Sequence, residues 1–523
     1  MKKTLRIFLF LLFGSGLLAQ NNWPVYGHGP GHSGWARNDR AFAGAQLKHF
    51  GLLWKAHLPN QAKSLTALTA PLVAAGVTTA AGVKTLVFTA GSSGTLYALD
   101  AANGTTVWSH KFAASVPQPY PGMWLCPNGL NSTPVIDLKH RIIYVLAADG
   151  RLYGLGLGRG SLRWGPVQWV PPYAKTWSLN YARGWVYTSI SQGCGDATSG
   201  IYAMRVSQRR RPEIRELLVS NGGPAGIWGR GGPTLAPNGR LYAATGDGPL
   251  EPQRGWLGSS IIAATPRKLR LSGYFAPPNW RFLTHFDLDL GATSVAWLSW
   301  HQHAWLAAGG KGGTLYLVPT RPLGGADHHT LRQRLRLAND ERAYEAKGIW
   351  GTISHWRDAK GREWLYVPVW GPVSKDAPHF PRVRGNTAAG SLMAFRLAHN
   401  ARHRVVLQPM WMAGGFSVPD PAAIADGKVF ALSTGENVQQ TQGAAVKAHG
   451  HYGTGILSDA QREEHTRRAV LRVLDARSGK LLYQSGDAIA TWTHFSGLAV
   501  AGGKVLVVDH GSNIYCFGIK PAN

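Results

Sequence analysis

One strand pattern returns along the whole chain. Gly-Thr-Leu-Tyr-Ala-Leu begins at Gly94. Related strands begin at Gly150 (GRLYGL), Gly200 (GIYAM), Gly258 (GSSIIA), Gly313 (GTLYLV), Gly390 (GSLMAF), Ala469 (AVLRVL) and Ser512 (SNIYCF). The eight copies stand about 43 to 79 residues apart in a chain of 523. A unit repeating at that period cannot bury its apolar surface alone and must stack on its neighbours. Most copies follow another apolar strand, as in TPVIDLKHRIIYVLAADG (133–150) and PTLAPNGRLYAATGDG (233–248), with Asp-Gly, Asn-Gly and Gly-Lys turns between. Each copy alternates as a half-buried strand does.

Four-stranded units set around an axis form a propeller, which leaves few exposed sheet edges. Eight units therefore predict an all-β, eight-bladed β-propeller occupying residues 21–523 as one domain. Two packed β-sandwiches are the alternative use of the same strands. The composition agrees with either: 44% apolar, only 16% charged, with 65 Gly and 21 Trp. NNWPVYGHG and the last strand are expected to close the ring together. Residues 329–347 and 458–469 read as short helices or loops.

The turn after the repeated strand has a mechanical reading. In LDAANGTTVW, Asp100 caps the turn, Gly104 permits positive φ and Trp108 is placed to pack on the neighbouring blade. Gly160/Trp164 repeat the spacing, and Gly479/Tyr483 do so with another aromatic. These aromatics read as structural.

The N-terminus reads as a signal peptide over residues 1–20. Lys2, Lys3 and Arg6 flank IFLFLLFGSGLL (7–18), which is too short to span a bilayer. Cleavage after Ala19 is expected, although Leu17 suits it poorly; a retained anchor is the alternative. No cysteine follows the apolar core, so no lipid anchor is expected, nor any transmembrane helix in the mature chain. A periplasmic or secreted protein follows. Of the three cysteines, Cys126 and Cys194 lie in glycine-rich loops and are the expected disulfide in an oxidising compartment. Cys516, in the apolar NIYCFGI, reads as a buried thiol. No CxxCH, Walker loop or Gly-x-Ser-x-Gly elbow occurs. The formal net charge is +28, but the basic residues are spread along the chain. That argues for basic outer loops on an envelope protein and against a nucleic-acid groove. The histidine pairs His301/His303, His328/His329 and His449/His451 are weaker candidates for a transition metal.

Tyr-x-Leu-Asp-x-x-x-Gly-x-x-x-Trp resembles the tryptophan-docking repeat of the pyrroloquinoline quinone (PQQ) propeller family, which includes quinoprotein alcohol dehydrogenases and non-catalytic relatives. NNWPVYGHGPGHSGWARND (21–39) looks like the family's opening segment. FDLDLGATSVAW (286–297) and GGKGGTLYLV (309–318) resemble the dehydrogenases' aspartate and Lys-x-Gly segments and are similar to polyvinyl-alcohol dehydrogenase-like sequences. The resemblance implies PQQ on the propeller axis with Ca²⁺ beside it. In that family a Glu and an Asn hold the ion, an Asp is the base, and an Arg or Lys contacts the quinone. A Trp and a disulfide of adjacent cysteines cover its two faces.

Carried over residue by residue, Asp287 and Asp289 are the candidate base and its orienting or metal-binding partner. As i, i+2 residues of a strand they would face one side; a solvated or turn-capping pair is the other reading. Lys311 matches the quinone-contacting residue, against an ordinary turn lysine. Asp247 stands where the family has Asn, and Asp196 stands near the expected Glu. Both would be Ca²⁺ ligands. Trp228 falls near the stacking tryptophan, unless it packs between blades. Cys126 lacks the adjacent cysteine, so the family's covering ring cannot form. Either another group covers the cofactor, or none binds.

Two functions follow. One is a PQQ- and Ca²⁺-dependent dehydrogenase oxidising an alcohol, polyol or polymeric substrate and passing electrons to a separate acceptor. The other is a non-catalytic propeller that binds protein or polymer, as the family's outer-membrane assembly factor does.

Overall fold

The computed structural model describes residues 22–113, 117, 124–127, 129–130, 132–207, 212–221, 225–442 and 455–521. The expected signal peptide and the His449/His451 pair lie outside them. The structure is an eight-bladed β-propeller with four antiparallel main strands in each blade. Blade 1 comprises Leu72–Thr79, Gly82–Gly91, Thr95–Asp100 and Thr106–Lys111. The third strands of blades 2 to 8 are Arg151–Gly156, Gly200–Arg205, Ile261–Ala264, Thr314–Pro319, Gly390–His399, Val470–Asp475 and Asn513–Ile519. Each of the eight sequence repeats is thus the third strand of one blade.

The expected half-buried alternation holds in part on Arg151–Gly156 and Val470–Asp475 but not on Thr95–Asp100. Five of the six residues of Thr95–Asp100 are buried, because a blade packs against neighbours on both faces. The outer strand Thr106–Lys111 is exposed or half-buried throughout. Among the described residues, helix is confined to short pieces such as Trp280–His285 and Asp459–Glu463. No described helix is long and apolar enough to cross a membrane.

The blades are joined by one recurring contact. Trp54, Trp108 and Trp411 lie on fourth strands and donate their indole N–H to Ala101, Leu157 and Ala476 of the next blade, at 3.2, 2.8 and 3.0 Å. Each indole lies on a turn glycine with positive φ: Gly104, Gly160 and Gly479. A Cβ at Gly160 would come within 2.5 Å of Trp108 Cε3. In the same turns Asp100 and Asp475 accept from backbone N–H groups two and three residues on. The expected role of Asp100, Gly104 and Trp108 as blade hardware holds. Tyr483 packs edge-on against Phe50 of blade 8.

Ring closure differs from expectation. Phe50–His57, not NNWPVYGHG, pairs with Asn513–Ile519 to complete blade 8. The 22–36 segment instead crosses the channel as a strap. Its backbone bonds Val73 of blade 1, Ile136 of blade 2, Leu235 of blade 4, His355 of blade 6 and Ile424 of blade 7. The Asn180 amide of blade 3 reaches Pro30 at 2.8 Å. Gly34 lies so close to Ala422 O that a Cβ would stand 2.7 Å from it. One strap therefore touches the inner edges of six blades and floors the channel.

Gly160→Ala should lower stability by about 2 kcal/mol, from positive-φ strain and displaced Trp108 together. The midpoint of urea unfolding measures this. An unchanged midpoint would show that the docking turn tolerates a side chain.

Candidate functional site

Above the strap lies a cavity of about 380 Å³ on the axis. Its walls come from the turns between second and third strands and from the connections between blades. Asp287, Asp247, Lys311 and Trp228 line one side, and Cys126 stands at another edge. Asp289 is wholly buried directly behind.

Two loops zip together to build the charged side. Lys311 N–H donates to Asp289 O at 3.1 Å and Gly312 N–H to Leu288 O at 3.2 Å. A Cβ at Gly310 would stand 2.0 Å from Asp289 O, so the lysine loop needs glycine to approach. The Lys311 ammonium then donates to Asp287 Oδ1 and lies 2.9 Å from Asp289 Oδ1. Asp289 Oδ2 accepts from Trp228 Nε1 at 3.0 Å and from Gly291 N–H at 2.8 Å, which caps the short helix Leu290–Ala292.

The FDLDLG segment is not the expected strand. Asp287 has φ +51° and follows a short helix, while Asp289 starts another turn. The carboxylates converge through loop folding, not through i, i+2 alternation. Oxygens of Asp247, Asp287 and Asp289 lie within 4.8 Å of one another. Burial pushes the Asp287 pKa well up, Lys311 opposes this, and the charges of Asp247 and Asp289 add to the rise. Its Oδ2 is buried without a hydrogen-bond partner among the described residues.

Asp196 is a correction. It is exposed at φ +58°, at the end of the Cys194–Asp196 turn, and the cavity is lined there by Gln192 and Gly193. Shorter by one methylene and one residue adrift, it does not reach the carboxylate cluster. Cys126 is bonded to Cys194, 68 residues away, with Cα atoms 5.6 Å apart. The bridge ties the connection between blades 1 and 2 to a turn of blade 3. Cys516 is the expected buried thiol. His328 and His329 turn their ring nitrogens to backbone carbonyls, so neither is poised as a metal pair.

Several cavity residues escaped the sequence reading. Trp350 and Trp370 stack at 4.5 Å with an interplanar angle of 5°, and Trp228 meets Trp350 edge-on at 5.3 Å. A local signal existed: Ile-Trp-Gly at 227–229, Ile-Trp-Gly at 349–351 and Val-Trp-Gly at 369–371. The glycine lets each chain turn tightly behind its indole; a Cβ at Gly351 would meet Pro421 at 2.5 Å. Trp228 lines the cavity and packs against Trp350. No comparable signal marks the remaining charges. Glu436 pairs with His494 at 2.5 Å. Arg230 pairs with the fully buried Asp420, its guanidinium 3.9 Å from the Phe495 ring centre. Arg462 lies 4.3 Å over Trp124. Lys175 donates to Leu125 O, 5.7 Å from the Trp177 ring.

The cavity is thus polarised. Carboxylates clamped by Lys311 form one side, and Lys63, Lys175 and Arg462 also line it. Burial, with Arg462 adding repulsion, lowers the Lys175 pKa to about 7. Between there and the ordinary lysine value the unfolded chain binds more protons than the folded one. Stability should therefore rise with pH from about 7 to about 10. Lys175→Met should flatten that rise and stabilise the protein at pH 7 by on the order of a few kcal/mol. Guanidinium unfolding midpoints across this range measure it; parallel profiles for the two proteins would exclude a desolvated lysine.

The family described as outer membrane protein assembly factor BamB matches residues 51–198. A comparison with curated proteins finds no match. Among solved structures, the quinohemoprotein alcohol dehydrogenase of Comamonas testosteroni is similar, with 13% identity, a TM-score of 0.59, and 96% of this chain and 81% of that one covered. A europium-containing methanol dehydrogenase is similar at 12% identity and a TM-score of 0.59, over 95% of this chain and 98% of that one. The quinohemoprotein alcohol dehydrogenase ADHIIG of Pseudomonas putida HK5 gives 12% identity and a TM-score of 0.55, over 96% and 82%. Identities this low bear on fold alone. The eight blades, their docking turns and the match over residues 51–198 support a PQQ-like β-propeller fold for this chain.

Proposed function

We propose that the protein is an exported PQQ- and Ca²⁺-dependent dehydrogenase that oxidises an alcohol or polyol. The observation that carries the reading is Asp287: a cavity-facing carboxylate held by a buried lysine, beside two further carboxylates and a wall of three tryptophans. The donor set suits the implied groups. Three clustered carboxylates are hard oxygen ligands. Asp247 would hold the ion, and Asp287 Oδ2, unpartnered among the described residues, stays open as the proton acceptor. The indoles offer flat faces to an aromatic quinone, and Lys175 and Arg462 offer positive charge to its carboxylates.

When bound, PQQ supplies the two-electron oxidant and the metal polarises its carbonyl. The chain's own groups do the rest. Asp287 accepts the hydroxyl proton of the alcohol; burial raises its pKa well above the ordinary carboxylate value. Lys311 fixes its orientation, and Asp289 fixes Lys311 and Trp228 in turn. Cys126–Cys194 stands at the rim in place of the family's adjacent-cysteine ring.

A second reading, a non-catalytic propeller that binds protein or polymer, is favoured by the BamB description over residues 51–198 and by the single cysteine at Cys126. One titration separates the two. Purified protein is given PQQ with Ca²⁺ or, following the europium-containing neighbour, a trivalent lanthanide. Quinone absorbance and dye reduction are then followed with a panel of alcohols. The enzyme reading expects binding and turnover, and Asp287→Asn should lower kcat by roughly 100-fold or more with PQQ affinity retained. Absence of PQQ binding at about 10 μM would leave the binding reading.

A further inference from the structure

The face opposite the cavity carries a second concavity, of about 460 Å³, at the junction of blades 5 and 6. It is built by turns of the other kind. His301–Gln302 joins the first two strands of blade 5, residues 358–362 join those of blade 6, and residues 400–404 join that blade's last two. Arg357, Lys360, Arg362 and Arg396 surround it, with Trp300, His301 and His399 on its wall.

The acids here lie beneath the cations. Glu363 is 4% exposed and receives Arg357 Nε at 3.2 Å. Asp358 is 4% exposed and receives Arg362 Nε at 2.7 Å and Nη2 at 2.6 Å. The carboxylates thus hold the guanidiniums in position from below while the positive side faces outward. Arg396 donates to the neutral Gln408 at 2.7 Å, and Lys360 is exposed. The wall is rigid: Trp300 is packed by His301 at 4.4 Å and His399 at 4.7 Å.

We infer that this groove binds an acidic polysaccharide through its carboxylates. Guanidinium forks match planar carboxylates, and the pre-set side chains lose little freedom on binding. The surface offers donors almost alone, since both acids are buried. An extended acidic peptide brings backbone N–H groups that would find few acceptors. Nucleobases stack on an open ring face, and Trp300 is half-buried against two imidazoles. A flat bilayer cannot enter a concavity. The charge of +28 draws any polyanion to the protein, and the groove decides where it rests.

Binding of fluorescent polygalacturonate at about 0.1 M salt tests this, with neutral dextran as the blank. Lys360→Glu/Arg396→Glu touches neither ion pair and should weaken affinity by about tenfold or more. Arg267→Glu/Lys268→Glu makes the same charge change at another exposed turn and should have an effect below about twofold. Lys360→Gln/Arg396→Gln serves if the charge reversal impairs folding, judged by circular dichroism. Equal losses in the two double variants would overturn the site in favour of diffuse attraction. Tighter binding of polyglutamate, single-stranded DNA or phosphatidylglycerol vesicles, lost in the groove variant, would overturn the assigned ligand class.

Discussion

The structure depends on a ring being closed by pairing its two distant ends. Phe50–His57 supplies the outer strand of a blade whose other three strands are the last in the chain. Without that pairing the first and eighth blades would each present a bare face, and the apolar surfaces that stack around the circle would have an edge. The strap of residues 22–36 adds a second closure. It bonds inner strands of six blades and so resists their splaying.

Closure leaves the axis as the place where eight inner edges meet around a space that a floor covers on one side. Repetition builds the walls, and departures from repetition furnish them. The docking turns with Gly104, Gly160 and Gly479 serve packing alone. The irregular loops, SQGCGD, TGDG, FDLDLG and GGKGG, deliver the disulfide, the carboxylates and the lysine. Burying Asp287, Asp289 and Lys311 together demands close mutual satisfaction, because each charge left alone would be costly. The two loops meet that demand by pressing backbone against backbone through glycine.

How much of this was legible varies with the range of the signal. The blade count was legible because each third strand keeps its own local pattern. Asp287, Asp289 and Lys311 were legible as a family-like set, though the mode of their meeting was not: positive φ at Asp287 is a loop property that strand alternation cannot foresee. Asp196 failed because one residue of displacement in a turn redirects a side chain entirely. Trp350 and Trp370 had a readable Trp-Gly signature, but nothing local says that two such signatures 20 residues apart will stack. Glu436, His494, Arg230 and Lys175 carry no pattern. They are single polar residues whose partners lie on other blades.

The sequence by itself determined the repeat, its number, and hence the propeller, because stacking identical units leaves few other ways to bury their faces. It also marked Asp100, Gly104 and Trp108 as blade hardware, while only the structure showed which indole lies on each glycine. Only the tertiary structure decided that Phe50–His57 closes the ring while the preceding segment floors the channel. Both are short apolar stretches near the N-terminus, and only their fit to distant edges tells them apart. Only the tertiary structure, too, decided which charges share the cavity, since convergence on an axis depends on the turn of every blade between them.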